Sequence, residues 1–211
     1  GFRFDDWGVD VAVTGSQKGF MLPAGLAIVG VSDKAMKATE TAKLPRTFFD
    51  VKDMQKGYDN DAFPYTPPVG LMNGLKLSLQ IIDDEGLDNV IARHHRIAEG
   101  VRKAVGAWGL ELCATKSEFY SDSVSGIRTP EGFNATDIVT VAARDYGMAF
   151  GVGLGEVAGK VFRIGHLGML TDAMMLSGLG VAEMVMKDCG LDITLGSGVA
   201  AAQAHYRHGN A

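Results

Sequence analysis

The chain has 211 residues, 46% hydrophobic and 21% charged, with a formal net charge of −5 at pH 7. These totals allow one large domain or two small ones with real cores, and they lack the basic surplus that nucleic-acid binding requires. The sequence has no apolar run approaching the about 18 residues that a membrane helix needs, so no membrane partner is expected either.

The chain opens on "GFRFDDWGVDVAV", without Met and already leading into a strand pattern. Upstream sequence is therefore expected to be missing. Val9, Val11 and Val13 alternate with Asp10, Ala12 and Thr14, which predicts a strand. Ala24 to Ser32 is nearly continuously apolar and predicts a strand covered on both faces. Between them stands "TGSQKGFMLPAG", with Lys18 among small and polar neighbours. A short helix begins after Ser32 or Asp33 as cap. "AFPYTPPV" carries three prolines and reads as a connector. A helix follows over about Val69 to Asp84, with Leu71, Met72, Leu75, Leu79 and Ile82 at helical spacing. A second runs over about Leu87 to Trp108, its buried stripe being Leu87, Val90, Ile91, His94, Ala98, Val101, Val105 and Trp108.

After Gly109 the pattern changes. "LELCAT", "VSGIRT", "MAFGVG" and "VFRIGH" predict strands. "NATDIVTVAARDYG" predicts a helix capped by Asn134, and "TDAMMLSGLGVAEMVMKDCG" a last helix ended by Gly190. The order β-β-α-β-β-α describes a small α+β sandwich, two helices on one face of an antiparallel sheet. The expected division is 1–108 and 109–211, in an α/β chain overall.

Desolvation makes an amine a nucleophile toward carbonyl groups, so a Lys18 buried near two strands would be suited to chemistry. Gly15 and Gly19 let backbone approach a ligand, while Gln17 and Ser16 offer groups for an anion such as phosphate. A solvated lysine in a glycine-rich loop is the competing reading. The Walker spacing of a P-loop is absent. His94 and His95 have no ligand-spaced partners and read as packing and solvent, so no metal site is expected. His166 lies near Arg163 and could reach the same site. Met174, Met175, Met184 and Met186 read as core filling, and Asp83, Asp84 and Glu85 as a solvated helix end. Cys113 and Cys189 read as free thiols in a reducing compartment, the cytoplasm.

"VDVAVTGSQKGFMLPAGLAIVGVS" resembles the cofactor-lysine segment of the class V aminotransferases, of pyridoxal-phosphate fold type I, and is most similar to the serine/alanine–glyoxylate group. In that group a Gly-Ser-Gln-Lys run is followed by Pro and Gly, here Pro23 and Gly25, with Ala24 where a second Pro is common. "FPYTPPVGLMNGLKLSL" is similar to the family's connector before its long helix, and "KVFRIGHLG" to its carboxylate-binding segment.

The resemblance implies pyridoxal 5'-phosphate as cofactor and Lys18 as the Schiff-base lysine and proton carrier. It implies Gln17 and Thr66 at the cofactor phosphate, Thr66 at that of a neighbouring subunit, Tyr65 beside it, and Arg163 on the substrate carboxylate. The shared site implies a homodimer, and the apolar "VGLMNGLKLSL" helix is expected at its interface. The implied reaction is ping-pong transfer of an amino group from serine or aspartate, then alanine, to glyoxylate. The family's pyridine-nitrogen Asp, main phosphate loop and ring-stacking residue lie upstream of the lysine segment. Asp5, Asp6 and Asp10 stand too close to Lys18 to be that Asp. The chain thus resembles a carboxy-terminal half: 1–108 the tail of the large cofactor-binding domain with its connecting helix, 109–211 the small domain. Two alternatives stay open. One is a cysteine desulfurase-like lyase, although that group has His where Gln17 stands. The other is a non-catalytic phosphate-binding module.

Overall fold

The computed structural model describes residues 1–208. It divides into two compact units, Gly1–Glu85 and Gly86–Ala211.

In the first unit, β1 (Val11–Gly15) and β2 (Ala27–Val31) form an antiparallel hairpin. Val11 faces Val31 and Val13 faces Val29, so β-branched side chains pair across the strands. This corrects the expectation of a strand covered on both faces. Among the described residues the hairpin pairs only within itself, and Val11, Val13 and Val29 are exposed. α1 (Asp33–Ala38) is capped by the Ser32 side chain, which accepts from Ala35 N–H. α2 (Val51–Tyr58), capped by Asp50, was not anticipated. Residues 62–68 are irregular, as three prolines require. α3 (Val69–Glu85) follows, and its Ser78 hydroxyl donates to the Phe20 carbonyl at 2.6 Å, tying the helix to the chain beyond Lys18.

The second unit opens with α4 (Leu87–Ala107). Its sheet, β3 (Glu111–Leu112), β4 (Val124–Arg128), β5 (Gly151–Val152) and β6 (Val161–Gly165), is antiparallel in the order β3-β4-β6-β5. α5 (Ala135–Tyr146) has Asn134 as N-cap and Gly147 in the left-handed region at its end. α6 (Asp172–Asp188) has Thr171 as N-cap, and Gly190 (φ +88°) follows its end, with Leu191 N–H reaching back to Met186 O at 2.9 Å. The α6 helix is not the last, however. α7 (Ser197–His208) packs along α4, and Gly100 permits the approach, since a Cβ there would stand 2.2 Å from the Tyr206 ring.

Within this chain α4 packs with the second unit, through its contact with α7. The α4 stripe is also shifted. Leu87 is exposed, while Ile97 and Ala104 join Ala98, Val101, Val105 and Trp108 in the interior.

The core lies between one sheet face and the helices. Ile127 on β4 and Phe162 and Ile164 on β6 point into it, against Ile138, Leu179, Val185 and Met186. Each such side chain contributes about 1.5–3 kcal/mol when fully buried. Strand alternation then sends the residues between them to the other face. No helix among the described residues is long and apolar enough to cross a membrane.

Candidate active site

The Lys18 loop is built by a neighbour of the lysine. Ser16 is fully buried. Its hydroxyl donates to Pro23 O at 2.7 Å and accepts from Leu26 N–H at 3.2 Å. Its backbone N–H donates to Leu26 O, and its carbonyl accepts from Leu22 N–H. One serine thus closes the neck of the loop from four directions, and its hydroxyl is a structural tie rather than an anion ligand. Met21 (φ +57°) and Gly25 (φ +135°) carry the left-handed backbone that turns the loop.

Gln17, Lys18 and Gly19 stand out from that neck, exposed. The expectation of a desolvated lysine is not met in this chain, because the loop caps a hairpin with one face open, that of Val11, Val13 and Val29. The Gln17 amide folds over Gly15, where a Cβ would come within 2.5 Å of Oε1. The first unit also carries the connector residues. Thr66 is exposed, and the Tyr65 hydroxyl accepts from Phe48 N–H at 3.0 Å while its ring stacks on Phe48 at 4.5 Å.

Arg163 belongs to the second unit. On β6 it sits between two buried residues, Phe162 and Ile164, and so faces away from the core. Its cross-strand partners are both glycines, Gly126 on β4 and Gly151 on β5. Its Nε is buried with no hydrogen-bond partner among the described residues. A buried guanidinium N–H without an acceptor is costly, and a ligand carboxylate is the acceptor best matched to it.

His166 does not reach that site. It is fully buried, with Nε2 2.9 Å from Ser125 Oγ and Nδ1 3.0 Å from Asp122 O. Burial pushes its pKa down, against the Asp122 carbonyl's opposing effect, so the ring is a neutral core histidine. His94 is likewise structural, joined to Val90 O and Gly168 N–H. His95 is exposed and pairs with Asp122 at 3.1 Å.

Neither cysteine is set as a nucleophile. Cys113 and Cys189 are free and half-buried, and burial pushes the Cys189 thiol up. No group of three or more metal-ligating side chains occurs among the described residues.

A family model described as aminotransferase class-V matches residues 2–161. The chain is 71% identical over 206 residues to the L-aspartate–glyoxylate aminotransferase of Paracoccus denitrificans, covering 98% of this chain and 52% of that protein. It is 52% identical over 206 residues to the serine–glyoxylate aminotransferase of Hyphomicrobium methylovorum, covering 97% and 51%. The crystal structure of pyridoxamine–pyruvate aminotransferase from Mesorhizobium loti superposes with a TM-score of 0.92 at 31% identity, over 99% of this chain and 54% of that one. The chain thus spans about half the length of the curated relatives it matches. The expected α/β fold, of pyridoxal-phosphate fold type I, is borne out by these likenesses.

Proposed function

The chain belongs to the class V aminotransferase family, and from that premise we propose that the enzyme it forms part of moves an amino group from a small amino acid to glyoxylate. Aspartate and serine are the proposed donors, alanine the third. The observation that carries this is the 71% identity, over nearly the whole chain, to a protein named for aspartate and glyoxylate. Another relative, at 52%, is named for serine and glyoxylate.

Pyridoxal phosphate, when bound, supplies the electron sink for the substrate Cα. The residues of this chain fit that group. The exposed Lys18 amine would hold the group by its aldehyde carbon and, once displaced by the substrate amine, would carry the proton to and from Cα. Gln17 and Thr66 offer an amide and a hydroxyl for its phosphate, with Tyr65 beside Thr66. Arg163 orients the substrate by its carboxylate, where a planar fork gives two parallel bonds that an ammonium group does not. Donor and acceptor both carry a carboxylate, so one arginine serves each half-reaction in turn and ping-pong kinetics follow.

In the longer protein, residues 1–108 are proposed to belong to the large cofactor-binding domain and 109–211 to the small one. The proposed assembly is a homodimer in which Thr66 completes the partner's phosphate site. The free cysteines favour a reducing, cytoplasmic location. A donor screen tests the reading: the full-length enzyme is given glyoxylate as acceptor and each small amino acid in turn. Glycine formation from aspartate or serine is the expected result. Glycine from none of them, with cofactor bound, would sink it. The half-buried cysteines and the raised Cys189 thiol count against the desulfurase-like alternative.

A further inference from the structure

Resting on the reading of Arg163 as the carboxylate-binding residue, we propose that Gly151 is a positioning residue for it: the missing side chain is the seat on which the guanidinium lies. Gly151 stands directly opposite Arg163 in the β5–β6 register. Opposed Cβ atoms in an antiparallel pair ordinarily stand about 4.5–5.5 Å apart. A Cβ built on Gly151 would lie 3.2 Å from the Arg163 Cβ, 3.0 Å from its Nε and 3.4 Å from its Cζ. The arginine side chain therefore lies across the strand in the space a side chain at 151 would take, and the Nε sheltered there has no protein partner among the described residues.

Strand β5 has little room to retreat from an added methyl group. Gly153 N–H donates to Val161 O at 2.8 Å, and a Cβ at Gly153 would meet the Val157 carbonyl oxygen at 2.2 Å. Val152 is held opposite Phe162. The Gly151 backbone lies outside the left-handed region, so alanine there is limited by space and not by φ. The flexible partner is the arginine, and it must leave its seat. Gly126, on the other side of Arg163, is different. A Cβ there would meet Cys113 Cβ at 3.3 Å and Val161 Cγ1 at 3.4 Å, and no atom of the arginine is among its nearest neighbours.

The test uses the full-length holoenzyme. Gly151→Ala is expected to raise KM for the amino donor and for glyoxylate by about tenfold or more, with kcat within about threefold. The dissociation constant of glycolate, an unreactive carboxylate, should rise in parallel, with the cofactor's visible absorption unchanged. Gly126→Ala should lower Tm without moving either KM. Arg163→Lys separates the two layers of the argument. If it leaves both KM values and glycolate binding unchanged, the role of Arg163 itself fails. If it raises them and Gly151→Ala does not, only the seat fails. Should Gly151→Ala fold poorly, the arginine stem itself has to be removed to decide. Lysine keeps a stem of the same length over residue 151, so the double variant Gly151→Ala/Arg163→Ala is used, which removes the Nε and Cζ contacts and leaves only the Cβ contact. It should recover part of the Tm lost in Gly151→Ala, and a double variant no more stable than Gly151→Ala overturns the proposal.

Discussion

The backbone N–H of Gly168 donates to Nε2 of His94 across 2.9 Å, while the carbonyl of the same glycine accepts from Arg93 Nη1, also at 2.9 Å. Because Nε2 must accept, the ring proton sits on Nδ1, which donates to Val90 O at 2.7 Å. The segment that leaves β6 beyond Arg163 is thereby held to α4 by both backbone groups of one buried residue. His94→Ala removes the acceptor and leaves the Gly168 N–H unsatisfied. The expected loss is about 1–3 kcal/mol of stability, read as a lower denaturant midpoint with unchanged slope. A shift indistinguishable from wild type would show that water replaces the imidazole at no cost.

His166, four residues before the end of the same segment at Leu170, predicts a pH dependence. It is fully buried and its pKa is pushed below the ordinary 6.5, chiefly by burial. The titratable groups facing it are Asp122, Arg102 and His94. Above pH 6.5 the ring is neutral in both folded and unfolded chains, and its stabilising effect is fully present. As pH falls below 6.5 the unfolded chain takes up a proton that the folded one refuses, so stability drains away until the folded pKa is passed. Resistance to urea should fall from pH 7.5 to pH 5.5, and His166→Gln should flatten that slope whatever it does to stability at pH 7.5. An equally steep slope in the variant assigns the effect to another group.

Much of the fold was legible because its signals are local. Asn134, Thr171 and Ser32 cap the helices they precede, and Gly190 follows α6 in the left-handed region. What was not legible depends on distant partners. α7 buries small residues such as Ala202, and it closes on α4 only because position 100 is a glycine 106 residues before Tyr206 (206 − 100). A sequence window of one helix cannot contain that relation. Ser16 has the chemistry of an anion ligand, but its hydroxyl is committed to the Pro23 carbonyl, ten residues of loop being needed to bring its partners together. The proposed roles of Lys18 and Arg163 rest on the resemblance of their surrounding motifs. Gly151 carries no local sign, since its proposed role depends on which residue faces it across the strands.

Glu183 gives a stability prediction that no periodicity would have suggested. It is 2% exposed, and its Oε1 accepts from Trp108 Nε1 at 2.9 Å, Gly198 N–H at 2.7 Å and Val199 N–H at 3.2 Å, while Oε2 accepts from Gly196 N–H at 2.5 Å. The carboxylate thus caps the start of α7 and holds the indole at the end of α4. Glu183→Gln turns one acceptor into a donor facing N–H groups. It should cost about 2–4 kcal/mol and shift Trp108 fluorescence. Unchanged emission and Tm would mean the four donors find other acceptors.

Lys18→Ala should separate function from stability. The side chain is exposed, so its truncation should change stability by no more than about 0.5 kcal/mol. Turnover should vanish, since no other amine stands in the Ser16–Gly25 loop. A tenth of wild-type transamination in this variant would remove Lys18 from its role.

The proposed sharing of sites can be decided by mixing subunits. In a two-fold dimer each subunit gives what it receives, so a site made of one protomer's Lys18 and the partner's Thr66 has a defined complementation pattern. Lys18→Ala homodimers lack the amine at both sites, and Thr66→Ala homodimers lack the phosphate hydroxyl at both. A heterodimer of the two variants would place both lesions in one site and leave the other intact. It should regain wild-type cofactor affinity and KM at half the sites, and so about half the wild-type kcat. If Thr66 instead serves its own protomer's Lys18, the heterodimer holds one site without the amine and one without the hydroxyl, and no site with wild-type affinity forms. Differently tagged subunits, co-expressed and purified through both tags, give the heterodimer free of its parents. Cofactor titration of that species then reads out the arrangement directly, since a fraction of sites at wild-type affinity is possible only when Thr66 crosses to the partner.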